Sequence, residues 1–126
     1  MQDFRKLAVW RKAHLLAVEV YRASAGFPVS ERFGLTNQMR RAAVSIAANI
    51  AEGCGRDSDP DMKRFLQIAM GSASELHSQL LLALDLGFIH PDRTKQAEAQ
   101  LEEVKRMLSA LIVRIRGLGK AVSCKL

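Results

Sequence analysis

Apolar side chains return at steps of three and four residues in four separate stretches of the chain, and between the stretches the pattern stops at glycine, proline or a short polar run. That period marks amphipathic helices, each with one stripe facing a common core. In the first stretch Leu7, Trp10, Ala13, Leu16, Ala17, Val20 and Tyr21 share a face. With Asp3 where an N-cap belongs, the spacing predicts a helix from about residue 4 to Ala25, stopped by a left-handed Gly26 and by Pro28, which cannot continue the ladder. Phe27, Phe33 and Leu35 make the next connector apolar, so it is expected to fold back as a lid, with one helical turn near residues 29–33.

Thr36 is positioned to cap a second helix whose stripe is Met39, Ala42, Ala43, Ile46, Ala47, Ile50 and Ala51, ending at Gly53. Small residues on a buried face let a neighbour come close, which puts this helix at the centre of the packing. The Asp59-Pro60 pair reads as N-cap and first-turn proline of a third helix, with Phe65, Ile68, Ala69, Ser72, Ala73, Leu76, Leu80, Ala83 and Leu84 inward and a stop at Gly87. Gly71 in its middle costs about 1 kcal/mol against Ala, which suggests a close neighbour. A fourth helix opens at Pro91 with Asp92 near its positive end, and carries Ala97, Leu101, Val104, Leu108, Leu111, Ile112 and Ile115 down to Gly117. Four helices with short connections predict an all-α, antiparallel up-down-up-down four-helix bundle over residues 1–117, followed by a flexible basic tail, 118–126.

Composition narrows this further. A chain of 126 residues that is 48% apolar builds one core, and 8 Gly with 3 Pro are too few for a turn-rich all-β protein. No apolar run approaches the roughly 20 residues of a membrane span. The start of the chain lacks the apolar segment of a secretory signal, and Cys54 and Cys124 make no disulfide framework, so a reducing cytoplasm is the expected compartment. The net charge is +6, spread unevenly: residues 1–50 carry eight Lys/Arg and three acids, 51–100 five and eight, 101–126 six and two. Two basic ends around an acidic middle favour a polyanionic partner.

Catalytic patterns are not found. His14, His77 and His90 fall on three segments with no paired metal-ligand spacing, and Glu75 and His77, two apart, face different ways on a helix. Gly53-Cys54-Gly55 and Gly117-Leu118-Gly119 follow no strand and lack a phosphate-loop lysine, and a helix C-terminus before Cys54 disfavours its thiolate. No enzyme, metal or cofactor is expected.

The strings Leu7-Ala8-Val9-Trp10-Arg11-Lys12-Ala13, Phe27-Pro28, Glu31-Arg32-Phe33-Gly34-Leu35, Gln38-Met39-Arg40-Arg41-Ala42-Ala43-Val44-Ser45-Ile46, Asn49-Ile50-Ala51-Glu52-Gly53 and Ile68-Ala69-Met70-Gly71-Ser72-Ala73-Ser74-Glu75-Leu76 follow in one order over about residues 4–115. In them the chain resembles the four-helix-bundle proteins of 23S rRNA intervening sequences. That resemblance implies a homopentamer without enzymatic activity. It extends to the accessory variability determinant of diversity-generating retroelements, a basic pentamer that binds nucleic acid and a reverse transcriptase. The tail after Gly117 departs from the pattern.

For phosphate contact the sequence offers clustered cations: Arg5, Lys6, Arg11 and Lys12 on the first helix, Arg40 on the second, and Arg114, Arg116 and Lys120 near the end. Arg41, Ser45, Asn49 and Glu52 share one helical face, with Glu75 able to oppose them; they read as an RNA groove or as a hydrogen-bonded network between helices, and the acids favour the network, with Arg41 offsetting Glu52 or Glu75. Trp10, Tyr21, Phe27 and Phe33 are expected in the packing rather than stacked on bases. The functional expectation is a ring-like homo-oligomeric scaffold that binds RNA or DNA; the alternative is a protein-interaction adaptor whose basic surface is incidental.

Overall fold

The four stripes become four helices in the computed structural model, which describes residues 3–118 and the side chains as far as Ile115. They are α1 (Ala8–Ser24), α2 (Leu35–Cys54), α3 (Asp59–Asp85) and α4 (Pro91–Leu118), with short 3-10 turns at Phe4–Lys6 and Val29–Glu31 and no strand among the described residues. The expected tail lies outside the described residues beyond Leu118. The helices pack as a bundle in which α1 lies on α2 and α4, and α3 lies on the same two, its contact with α2 being the most extensive.

The start of each of the first three helices, and the end of α1, are set by different residues from those the sequence suggested, whereas α3 stops at Gly87 as expected. Asp3 caps the 3-10 turn, accepting from the Arg5 amide, and α1 begins only after an extended Leu7. At the start of α2 the Glu31 carboxylate accepts from the Leu35 amide at 3.2 Å, so the cap comes from the preceding turn and Thr36 is buried instead. Ser58, not Asp59, caps α3, its hydroxyl accepting from the Asp61 amide. Gly87 ends α3 at φ 76°, with its own amide on the Leu84 carbonyl and the Phe88 amide on the Ala83 carbonyl. That doubled return requires the left-handed conformation glycine tolerates. Gly26 does not adopt it; α1 stops through Ala25 in an ordinary helical conformation.

The core is built from Leu16, Met39, Ile46, Ile50, Leu66, Leu76, Leu101 and Leu108, all sealed from solvent. Each such side chain contributes about 1.5–3 kcal/mol through burial. The stripe of α2 is buried as predicted except for half-buried Ala51, and that of α4 is buried throughout. On α3 the inward set is Met62, Leu66, Ala69, Ala73, Leu76, Leu80 and Ala83, which turns Ile68 outward at 44% exposure. The connector is a lid only in part. Phe27 packs on Phe88 with ring centroids 5.6 Å apart, but Phe33 projects at 84% exposure under the Arg32 guanidinium.

Two glycines on the central helices differ in their surroundings. A Cβ on Gly53 would lie 3.3 Å from both the Met62 carbonyl oxygen and Phe65 Cβ, so glycine there lets α2 and α3 meet. A Cβ on Gly71 would meet nothing within 4 Å, so the close neighbour expected there is absent among the described residues.

Candidate nucleic-acid interface

The cations named from the sequence divide into two groups. Arg5 and Lys6 stand on the 3-10 turn and Arg11 on the first turn of α1, all exposed, and Arg11 donates to the Arg5 carbonyl at 3.2 Å. Arg114 of α4 borders a hollow shared with Leu7 and Val9, which brings it to the same end of the bundle. Lys12 lies beside them but is held 3.1 Å from Glu103. Arg40 sits at the far end of α1. Its Nε donates to Ser24 Oγ at 2.8 Å, a terminal nitrogen donates to the Tyr21 carbonyl at 3.2 Å, and its guanidinium covers the Tyr21 ring. It ties α2 to the C-terminal turn of α1 rather than joining the cluster. The side chain of Arg116 and all of Lys120 lie outside the described residues.

Within the cluster Arg5 is partly neutralised, donating to both carboxylate oxygens of Asp3 at 2.9 Å. Those side-chain bonds hold the Asp3 carboxyl below the usual aspartate range, with the Arg5 amide adding to the effect, and they raise the guanidinium of Arg5 in turn. Lys6, Arg11 and Arg114 have no carboxylate partner among the described residues.

The expected polar row is a network only over part of its length. Ser45 and Ser72 join α2 to α3 through hydroxyls 2.8 Å apart, and Asn49 Nδ2 donates to the Ser45 carbonyl and hydroxyl. Glu52 is taken by Arg56 one turn on, at 2.8 Å, so it does not offset Arg41. Arg41 and Glu75 border a polar hollow with Gln38, Ser45 and Ser72, and neither has an ion-pair partner among the described residues.

Each histidine has a structural engagement. His14 stacks on Trp10, His90 Nδ1 accepts from the Asp92 amide at the start of α4, and His77 bridges α3 to α4. His77 Nε2 lies 2.7 Å from Glu98, while Lys105, which can only donate, faces Nδ1 at 3.5 Å, so the ring proton belongs on Nε2. Among the described residues no group of three or more His, Cys, Asp or Glu is arranged to hold a metal ion, and no helix is long and apolar enough to cross a membrane.

One feature escaped the sequence. Between α1 and α2 runs an apolar groove of about 660 Å³, walled by Phe4, Trp10, Ala17 and Tyr21 and floored by Val44, Ala47, Ala48 and Ala51. Its aromatic wall is ordered by an edge-to-face contact of Phe4 with Trp10 at 4.9 Å. Tyr21 at 45% exposure and Val44 at the same value stand outside the core. The signal for it in the sequence was Val44 and Ala48 beside the core stripe of α2, next to the stripe's own small residues Ala47 and Ala51.

The family model described as 23S rRNA-intervening sequence protein matches residues 5–110. Among solved structures, the chain is similar to a crystal structure at 1.70 Å of a protein of unknown function from the S23 ribosomal protein family of Bacteroides thetaiotaomicron. The two are 25% identical and superpose with a TM-score of 0.76 over 83% of this chain and 98% of that one. No curated protein matches the chain.

Proposed function

The chain belongs to the 23S rRNA-intervening sequence protein family, and on that premise we propose that it is a non-enzymatic, self-associating scaffold that holds nucleic acid, RNA foremost, on a multivalent basic surface. The observation that carries this reading is the gathering of Arg5, Lys6, Arg11 and Arg114 at one end of the bundle, three of the four without a carboxylate partner among the described residues. Such charges attract phosphates without base-specific geometry, and release of condensed counterions supplies the affinity. A homopentameric ring repeats the patch five times, and linked weak sites bind far more tightly than one. The cross-links Lys12–Glu103 and Glu19–Arg93 between α1 and α4, together with Ser45–Ser72 between α2 and α3, support an antiparallel up-down-up-down course.

The test is binding of a structured RNA measured against salt. The wild-type affinity is expected to fall steeply as salt rises, and replacing Lys6, Arg11 and Arg114 with Gln is expected to weaken binding and lower the log–log salt slope by about one for each phosphate left without its cation. Unchanged affinity in the triple variant rejects the basic end as the interface. The apolar groove supports a second reading, a protein-interaction adaptor, which predicts no salt-dependent RNA binding at all.

A further inference from the structure

The groove between α1 and α2 is concave and apolar, and its polar lining is confined to a few groups, His14 and Arg22 among them. On α3 the structure carries a matching convex feature. Ile68, Glu75 and Leu82 recur every seventh residue, which keeps them on one side of the helix; Ile68 is 44% and Leu82 49% exposed, and Glu75 between them has no ion-pair partner among the described residues. The lengths correspond. The groove runs along α1 from Trp10 to Arg22, about 18 Å at 1.5 Å per residue, and the ridge from Ile68 to Leu82 spans about 21 Å.

We propose that the occupant of this groove is the α3 ridge of a second copy of the chain, with Ile68 and Leu82 on the alanine floor and Glu75 facing the basic lining at His14 and Arg22. The inference rests on the self-association proposed above and names the surfaces that bring it about. Charge complementarity favours this pairing over groove against groove, which would oppose two basic linings. The position of the ridge also favours closure. Glu75 shares a hollow with Arg41 and Ser45 of α2, so the ridge stands on the α2–α3 side of the bundle, next to the α1–α2 side that holds the groove. Patches on opposite sides would build a filament; patches on adjacent sides turn each successive copy through a large angle. A turn of about 90° closes at about four subunits and one of about 72° at about five.

A head-to-tail contact of this kind is tested by mixing two full-length variants, each disabled on one side. Ala48→Glu puts a charge on the groove floor and Leu82→Glu puts one on the ridge, both at exposed positions, and circular dichroism with cooperative melting checks that each folds. Each alone is expected to sediment as a single chain of 14.0 kDa. Their equimolar mixture is expected to form a two-chain complex, because it retains one intact groove and one intact ridge. If Leu82→Glu does not melt cooperatively, Glu75→Arg takes its place. A mixture that stays single-chain, or a variant that keeps the wild-type mass on its own, overturns the pairing. A wild-type protein that is itself a single chain at micromolar concentration overturns the self-association beneath it.

Discussion

Adding one methyl group at Gly53 tests how closely α2 and α3 approach. Alanine is the better helix former, and on propensity alone Gly53→Ala gains at most about 1 kcal/mol. The new Cβ, however, would stand 3.3 Å from the Met62 carbonyl oxygen and from Phe65 Cβ, inside the roughly 3.5–4.0 Å of an ordinary contact. Neither atom is the free end of a flexible side chain, so relief requires α3 to move by a few tenths of an ångström along the largest interface of the bundle. Overpacking of that kind costs about 1–3 kcal/mol, which leaves Gly53→Ala about 1 kcal/mol less stable than wild type. Gly71→Ala provides the control, since its Cβ meets nothing within 4 Å and the full propensity gain of about 1 kcal/mol should appear. At this chain length each kcal/mol moves the melting temperature by about 4 °C, so the two variants should separate by about 8 °C with opposite signs. The assay is thermal and urea unfolding in the Leu82→Glu background, which removes coupling to self-association from both. A Gly53→Ala protein as stabilised as Gly71→Ala would refute the close approach.

Three further outcomes follow from individual contacts. Arg40→Gln should lose about 1 kcal/mol in urea unfolding, because it removes the tie to Ser24 and the Tyr21 carbonyl; Lys6→Gln, with no such tie, should leave stability unchanged. Arg5→Gln should raise the Asp3 carboxyl toward the ordinary aspartate range in an NMR titration, since the side-chain bond from Arg5 is the largest cause of its lowering, while the backbone amide of residue 5 goes on donating to it. The sign of the linked effect is that the Asp3–Arg5 pair stabilises the fold above the ordinary aspartate pKa, and that stabilisation disappears as pH falls through the lowered one. Leu101→Ala should cost about 2–5 kcal/mol, with a fall in melting temperature of about 8 °C or more as the check, because a fully buried side chain leaves a cavity behind.

The stripes of α2 and α4 were legible because their apolar positions follow one face without competition from neighbouring large residues. On α3 two apolar sets compete, Met62 and Leu66 against Phe65 and Ile68, and periodicity alone does not choose between faces so close in angle; tertiary packing selected the first. The start of α2 was misread because a Thr at the right spacing is a common cap, whereas the Glu31 carboxylate reaches Leu35 only through the intervening 3-10 turn. Gly53 reads in sequence as a helix stop and Gly71 as the place of a close neighbour, whereas the close approach is at Gly53, because only the packing of α3 on α2 decides which glycine faces it. At the candidate interface, the early cations of α1 were legible as a cluster. The addition of Arg114, from the opposite end of the chain, and the withdrawal of Arg40 into an interhelical tie both depend on which helix ends meet. Glu52 pairs with Arg56, which lies just past the end of α2, and this displaces the pairing of Glu52 with Arg41 that the helical spacing suggested.

The most direct test of the central claim is the mass of the wild-type protein by sedimentation equilibrium at micromolar concentration. A chain of 14.0 kDa whose groove and ridge engage neighbouring copies should give a discrete closed assembly of about five chains, stable to dilution. A species of one chain's mass under those conditions would contradict it.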